Sequence, residues 1–238
     1  PFIYVPEVVT ALSRRRVMVC EWVDGIKFDD VLKLDQEQRS RVGEIIVRFF
    51  FGSTQRLGRF NTDPHPGNYL LMDDGRMAFL DFGNTAKVSG EWMELARRVL
   101  RAAIDGDLDD FTRVMDGLGY VRNLERIDRE LLFKQAVELL DWYLYDRELQ
   151  IDPDYVAQVV AALVDPRALE GAFRLARQIK VPPEEIWLRR METSVLAVLG
   201  HLRAERNWHR IMRELDFGEE PATELGRLEA EFWDPQRS

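Results

Sequence analysis

The chain has 238 residues, a formal net charge of −9 and 46% hydrophobic residues, which is sufficient for a globular core. Its acidic balance opposes broad binding to nucleic acid, so we expect no nucleic-acid partner. One cysteine excludes an internal disulfide and a cysteine-based metal site. No apolar run approaches the roughly 20 residues that span a bilayer, so we expect no transmembrane segment.

The start of the chain carries no signal-peptide pattern. Pro1 leads directly into an apolar segment, without basic residues or a small-residue cleavage site. The single cysteine fits a reducing compartment. We therefore interpret the chain as a fragment whose beginning is missing, from a protein that is cytoplasmic or peripheral at a membrane surface.

Two short strands and one long helix are predicted in the first part of the chain. Apolar and β-branched runs predict the strands at Phe2 to Val5 and at Val17 to Glu21. From Gln36 to about Leu57, apolar residues recur at spacings of three and four, which predicts a helix with one buried face. Asp35 stands at the expected N-cap of this helix.

A β-hairpin and two capped helices are predicted next. The runs Tyr69 to Met72 and Met77 to Leu80 are separated by an Asp-Asp-Gly turn, which favours a hairpin. Ser89 and Asp107 each precede an amphipathic pattern and are expected to be N-caps. Gly119 is expected to end the second of these helices.

The remainder of the chain is predicted to be nearly all helical. The pairs Asp152-Pro153 and Asp165-Pro166 each combine a cap residue with a proline suited to a first helical turn. A longer amphipathic pattern runs from about Pro183 to Leu215. The charged tail after Gly218 is expected to be a loosely attached short helix or partly disordered.

Two groups of unusual residues in this part favour packing over chemistry. His201 and His209 are eight residues apart on the predicted helix and have no third ligand nearby, so metal binding is not expected there. Trp142, Tyr143 and Tyr145 are expected to pack in the core or between helices.

The residues that indicate chemistry lie between positions 60 and 84, in the sequence FNTDPHPGNYLLMDDGRMAFLDFG. Asp63, Asn68 and Asp81 stand at offsets of five and thirteen, on loops at the two sides of the predicted hairpin. A carboxylate at Asp63 can orient or deprotonate an attacking hydroxyl. Asn68 and Asp81 offer hard oxygen ligands for a magnesium ion that bridges nucleotide phosphates. His65 is expected to brace the loop between Asp63 and Asn68.

This stretch resembles the UbiB/AarF group of atypical protein-kinase-like proteins, whose catalytic loop reads much like DPHPGN and whose metal loop reads DFG. The similarity runs from about Tyr4 to Tyr120, because the VPEVV, VCEWVDG and IDGDLDDF segments also look like that group. It implies ATP and Mg2+ as cofactors. It also implies residue roles: Asp63 as the catalytic-loop aspartate, Asn68 and Asp81 as metal ligands, Leu70 under the adenine ring, Glu21 and Val23 offering backbone groups to the adenine edge, and Cys20 as the gatekeeper.

The sequence departs from ordinary protein kinases at several points. Thr62 precedes the aspartate and His65-Pro66-Gly67 follows it, where ordinary kinases carry His-Arg before and a lysine two residues after. Phosphorylation of substrate peptides is therefore not expected. No Ala-Pro-Glu segment follows Asp81, and no G-x-G-x-x-G or Walker pattern occurs in the chain. The small lobe that the resemblance implies, with its phosphate-binding lysine, is expected to lie outside this segment.

These observations predict an α+β, mainly α fold. We expect the large, C-terminal lobe of a protein-kinase-like fold, with a small β-hairpin at the active site and additional helices after it. The predicted divisions are residues 1–120 for the hinge and the lobe core, 121–218 for a helical extension, and 219–238 for a charged tail.

Three functions are compatible with the sequence. The first is an ATP-dependent atypical kinase or ATPase, which the resemblance links to isoprenoid-quinone biosynthesis or lipid homeostasis. Its expected partners are nucleotide and, at a membrane surface, lipid or quinone-biosynthesis enzymes. The second is a small-molecule phosphotransferase of the aminoglycoside or choline kinase type, although the Gly-Asp-Pro segment of those enzymes is absent from Asn84 to Trp92. The third is a pseudokinase scaffold that binds nucleotide without turnover.

Overall fold

A computed structural model describes residues 1–164 and 178–234 of the chain. In these ranges the helices are α1 (Phe28–Val31), α2 (Gln36–Leu57), α3 (Gly90–Asp105), α4 (Leu108–Gly117), α5 (Arg129–Leu144), α6 (Pro153–Val164), α7 (Pro183–Leu202), α8 (Trp208–Phe217) and α9 (Glu224–Trp233). The strands are β1 (Ile3–Tyr4), β2 (Ile26–Lys27), β3 (Arg59–Asn61), β4 (Tyr69–Leu71), β5 (Met77–Phe79), β6 (Thr85–Lys87), β7 (Leu149–Gln150) and β8 (Glu205–Arg206). The prediction of a mainly helical chain with small sheets is confirmed.

Helix α2 runs through the core and has the predicted bounds. The side chain of Asp35 accepts a hydrogen bond from the backbone N–H of Gln38, and the Gln38 side chain closes a capping box. At the other end, Gly58 adopts the left-handed conformation with φ of 58°, which residues with a Cβ adopt rarely. The face that carries Val42 and Ile45 is buried, as the periodicity predicts.

The hairpin of β4 and β5 forms the middle of a four-stranded sheet with the order β1-β5-β4-β2. Strand β1 lies parallel to β5, whereas β2 lies antiparallel to β4. Phe49 of α2 stacks on Phe79 of β5 with ring centroids 3.7 Å apart. The predicted hairpin is confirmed, and this stacking fixes it to the long helix.

The strand predicted at Val17 to Glu21 is wrong. Only isolated bridges occur there, between Val8 and Cys20 and between Arg14 and Val17. Val17 is 60% exposed, so the apolar run has no sheet or core to pack against. The strand that joins the hairpin is β2, and Gly25 permits its approach because a Cβ there would meet the Leu71 carbonyl oxygen at 2.8 Å.

The capped helices after the hairpin are confirmed. The Ser89 hydroxyl accepts a hydrogen bond from the backbone N–H of Trp92 at 3.1 Å, and the Asp107 carboxylate accepts one from Asp110 at 2.9 Å. Gly119 follows α4 with φ of 83°. The predicted helix start at Asp152-Pro153 corresponds to α6, and the one at Asp165-Pro166 lies outside the described residues.

The continuous helix predicted from Pro183 to Leu215 is wrong, because the structure divides it into α7 and α8. Arg203 turns the chain with φ of 50°, and β8 then pairs with β7. The side chain of Asn207 caps α8 by accepting a hydrogen bond from Arg210 N–H. His201 and His209 therefore lie on different helices, and the His209 ring contacts the Tyr143 carbonyl at 3.0 Å. Tyr143 and Trp142 are core residues as predicted, whereas Tyr145 is 49% exposed.

The tail after Gly218 is not loosely attached. Its helix α9 buries Leu225 and Glu229 against the rest of the protein. The Glu229 carboxylate pairs with Arg48 of α2 at 2.9 Å, and Arg48 also pairs with Glu44 and Glu214, both at 2.8 Å. The charge and the proline of this segment misled the prediction, because the buried carboxylates are paired with arginines: all three with Arg48, Glu229 also with Arg56 and Glu44 also with Arg206.

Candidate active site

The loop that carries Asp63 begins directly after β3. Strand β3 pairs with β6, so the segment before Asp63 lies beside the segment after Asp81. The side-chain oxygen of Asn61 accepts a hydrogen bond from Asp63 N–H at 2.9 Å, and its amide nitrogen donates to the Asp81 carbonyl at 2.6 Å. The backbone N–H of Thr62 donates to the Asn84 carbonyl at 2.9 Å. Asn61 thus links the two loops that the motif predicted.

A short 3-10 helix, Pro66–Asn68, leads from that loop into β4. The Leu80 N–H donates to the Asn68 carbonyl at 3.0 Å, which brings the backbone before Asp81 beside Asn68. One oxygen of the Asp81 carboxylate accepts a hydrogen bond from Gly83 N–H at 2.8 Å. The Asp81 side chain is exposed and that of Asn68 is half-buried, so both remain accessible.

The chemistry of Asn68 and Asp81 fits magnesium. Together they offer an amide oxygen and a carboxylate, and Mg2+ in nucleotide sites takes few protein oxygens and completes its shell with water and phosphate. Within residues 1–164 and 178–234, no group of three or more His, Cys, Asp or Glu side chains could hold a metal ion. The described residues therefore form no dedicated protein cage for a metal ion.

His65 braces the loop, as the sequence predicted, although its partner is a backbone N–H and not a carbonyl. Its ring Nδ1 accepts a hydrogen bond from Gly67 N–H at 3.0 Å. A Cβ at Gly67 would meet that nitrogen at 2.9 Å, so the contact requires glycine. Phe82 of the DFG sequence contacts Phe49 edge-on at 6.1 Å between centroids, which ties the metal loop to α2.

The four residues predicted to contact adenine line one cleft of about 930 Å3, namely Cys20, Glu21, Val23 and Leu70. The N–H of Glu21 donates to the Glu7 carbonyl at 2.9 Å. The Glu21 carbonyl is therefore the backbone group of Glu21 that remains for a ligand. The Tyr4 hydroxyl and the Glu7 N–H bond to the Glu21 carboxylate and lower its pKa. The structure thus brings the predicted adenine residues together in a cleft that also contacts His65 and Gly67.

Arg190 is a residue of this site that the sequence did not reveal. It lies on α7, and its Nη2 approaches the Asp63 carboxylate oxygen at 3.6 Å, with both side chains half-exposed. His201, also on α7, lines the adenine-side cleft. Neither residue belongs to a local motif, since each is more than 100 positions from the loops it approaches.

Buried Tyr69 adds a hydroxyl without a hydrogen-bond partner among the described residues, and burial and nearby Asp63 raise its pKa.

Parts of the chain are similar to known proteins. Residues 1–115 match the family model described as the ABC1 atypical kinase-like domain. A chloroplastic Arabidopsis thaliana protein named ACTIVITY OF BC1 COMPLEX KINASE 1 is 35% identical over 120 residues, which is 48% of this chain and 18% of that protein. An uncharacterised protein of Synechocystis sp. is 28% identical over 191 residues, which is 72% of this chain and 28% of that protein.

A solved structure shares the fold over most of the chain. It is the complex of Rv3197 with erythromycin from Mycobacterium tuberculosis, with a TM-score of 0.74 and 25% identity, and it covers 92% of this chain and 54% of that one. Residues 1–115, just under half of the chain, are similar to the ABC1 atypical kinase-like domain, which confirms the resemblance to the UbiB/AarF group. The chain spans less than a third of the length of the Arabidopsis thaliana and Synechocystis sp. relatives. In the described part of the chain, no helix is sufficiently long and apolar to cross a membrane.

Proposed function

We propose that this chain carries the catalytic and metal loops of an ATP- and Mg2+-dependent kinase or ATPase of the UbiB/AarF type. The observation that carries the proposal is the pair of hydrogen bonds from Asn61, which join the loop of Asp63 to the loop of Asp81. Kinase-like catalysis requires its base and its metal ligands on two such loops at fixed separation. The family match supports the same reaction class.

Each residue then has a defined role. Bound nucleotide supplies the phosphoryl group, with Mg2+ offsetting its negative charge. Asp81 and Asn68 would hold the metal, and Asp63 would orient or deprotonate the attacking hydroxyl or water. The Glu21 carbonyl and the Val23 amide would bond to the adenine edge, and Leu70 would pack against the ring. Cys20, which lines the same cleft, would be the gatekeeper.

The proposed client is a lipid or an enzyme of isoprenoid-quinone biosynthesis, met at a membrane surface from the cytoplasmic side. The loop sequence Asp63-Pro64-His65-Pro66-Gly67 lacks the lysine with which peptide kinases assist transfer, which argues against a peptide substrate. We propose this localisation and this partner for the full-length protein.

Magnesium-dependent nucleotide binding tests the metal assignment. In the full-length protein, Asp81→Asn should weaken Mg2+-dependent ATP binding by at least about tenfold, because a neutral amide is a poorer ligand for a divalent ion. Asp73→Asn is the matched control, since Asp73 is an exposed carboxylate in the turn of the same hairpin. Isothermal titration with and without Mg2+ gives both values. Equal affinities for parent and Asp81→Asn would remove Asp81 from the site.

Turnover distinguishes the alternatives. Asp63→Asn should lower hydrolysis or transfer by at least about a hundredfold while nucleotide still binds, which is the scale of general-base catalysis. A parent protein that binds nucleotide without turnover would support the pseudokinase scaffold. Transfer to small hydroxyl compounds such as choline or aminoglycosides, with no activity on lipids, would support the small-molecule phosphotransferase.

A further inference from the structure

A second cavity lies in the helical interior, apart from the nucleotide cleft. Its volume is about 150 Å3, and residues of α2, α3, α4, α5, α7 and α8 line it. Buried apolar side chains form much of its wall, including Leu100, Leu118 and Met191. An apolar cavity of this size in a protein interior accommodates one six-membered ring. The interior therefore has room for a small molecule.

The cavity wall also carries ionisable groups. Among the described residues, three carboxylates and two guanidinium groups line it: Glu185, Glu192, Asp216, Arg97 and Arg189. Arg189 bonds to both glutamates, and its Nη1 lies 2.7 Å from the Glu192 oxygen. Both glutamates thus share one cation, while the aspartate depends on other partners.

Asp216 lacks a cation of its own. One of its oxygens accepts a hydrogen bond from the Gln55 amide, and no cation bonds to its carboxylate among the described residues. Arg97 is near, but its guanidinium bonds to Glu94 at 2.9 Å and to the Gln55 oxygen at 3.0 Å. Burial raises the pKa of Asp216 to about 7, with nearby Glu192 acting in the same direction and Arg97 opposing it. A cationic group in the cavity would satisfy this carboxylate.

Trp92 supplies an independent indication of a ligand. Its indole N–H is buried and has no hydrogen-bond partner among the described residues. The Trp92 side chain lines the same cavity. A buried donor without a partner costs free energy, and the face of an aromatic ring or a ligand oxygen would accept its hydrogen.

We propose that this cavity is a binding site for a small aromatic amine, with the ring against the apolar wall and the ammonium group paired with Asp216. The site goes beyond the proposed phosphoryl-transfer function, since none of the nucleotide-site residues lines it. The ammonium would supply the cation that Asp216 lacks, because Arg189 bonds to both glutamates and Arg97 bonds to Glu94.

The test compares three probes of similar shape and different charge: benzylamine, toluene and benzoate. The full-length protein is titrated with each probe at pH 8, and binding is measured by calorimetry and thermal shift. Benzylamine should bind at least about tenfold more tightly than toluene, and benzoate should not bind. Asp216→Asn should reduce benzylamine affinity to that of toluene without changing toluene. Asp116→Asn, an exposed aspartate on α4, is the matched control and should change nothing.

Filling the cavity tests its location. Ala136→Leu adds bulk at the wall and should abolish binding of both benzylamine and toluene, provided that circular dichroism shows a folded protein. If Ala136→Leu does not fold, the Asp216→Asn comparison still decides. Unchanged benzylamine affinity in Asp216→Asn, binding of benzoate as strong as that of benzylamine, or no binding of any probe to the folded parent would each overturn the proposal.

Discussion

The loop region, residues 59–88, and the helical region, the described part of residues 121–234, use polar groups in opposite ways. In the loop region, short strands and backbone hydrogen bonds hold carboxylates at the surface, where Asp81 is exposed and Asp63 half-exposed. In the helical region, carboxylates such as Glu214 and Asp216 are buried and depend on distant partners. The difference teaches that short strands and loops leave their carboxylates open to solvent, whereas packed helices bury theirs in ion pairs or beside a cavity.

The largest expected effect belongs to the interior. Arg48→Met should lower the free energy of unfolding by about 3–5 kcal/mol, because it leaves three buried carboxylates without their shared cation. Chemical denaturation gives the value. Lys33→Met is the control, since it breaks an exposed pair with Asp30 and should leave the midpoint unchanged. A loss no greater than that of the control would mean that the buried carboxylates tolerate the lost cation.

Asp216 should make stability depend on pH in an unusual direction. Its pKa is raised in the fold from 3.8 to about 7, so the unfolded chain releases this proton at lower pH than the folded protein. Stability should therefore fall between about pH 4 and pH 7 by on the order of 4 kcal/mol, relative to Asp216→Asn, which cannot ionise. Thermal melts of both proteins at matched pH measure the difference. Parallel pH profiles would show that Asp216 is ionised normally in the fold.

Asn61 tests the coupling of the two loops. Asn61→Ala removes a hydrogen bond to each loop and should cost about 1–3 kcal/mol of stability, with weaker Mg2+-dependent nucleotide binding. Asn123→Ala is the control, because Asn123 accepts a single exposed hydrogen bond from Glu125 N–H. Nucleotide affinity that does not change in Asn61→Ala would indicate that the loops keep their separation without this link.

The smallest effect is expected where the two regions meet. Arg190→Gln should change turnover by less than about tenfold and leave the unfolding midpoint unaltered, since half-exposed ion pairs at 3.6 Å are screened by water. Steady-state kinetics of Arg190→Gln and of the control Arg203→Gln measure this effect. Arg203 is the residue that follows the C-terminal end of α7. A hundredfold loss would instead assign Arg190 to direct contact with the substrate or nucleotide.

The sequence by itself predicted helix α2 and much of the loop region. Helix α2, the hairpin and the Asp63, Asn68 and Asp81 pattern depend on neighbours within a few turns of chain, and such local signals can be read from spacing. The roles of these residues and the divisions at 120 and 218 stay predictions. The strand at Val17 to Glu21 failed because strand formation depends on a partner surface that local composition does not specify.

Tertiary structure alone decided the ion pairs and the cavity of the interior. Arg48 meets Glu214 and Glu229 across 166 and 181 positions, and Arg190 reaches Asp63 across 127 positions. A charged residue in a sequence normally indicates an exposed face, so burial in a shared ion pair cannot be inferred without the fold. For the same reason the cavity beside Asp216 has no local sequence signal, because six helices that are distant in sequence form its wall.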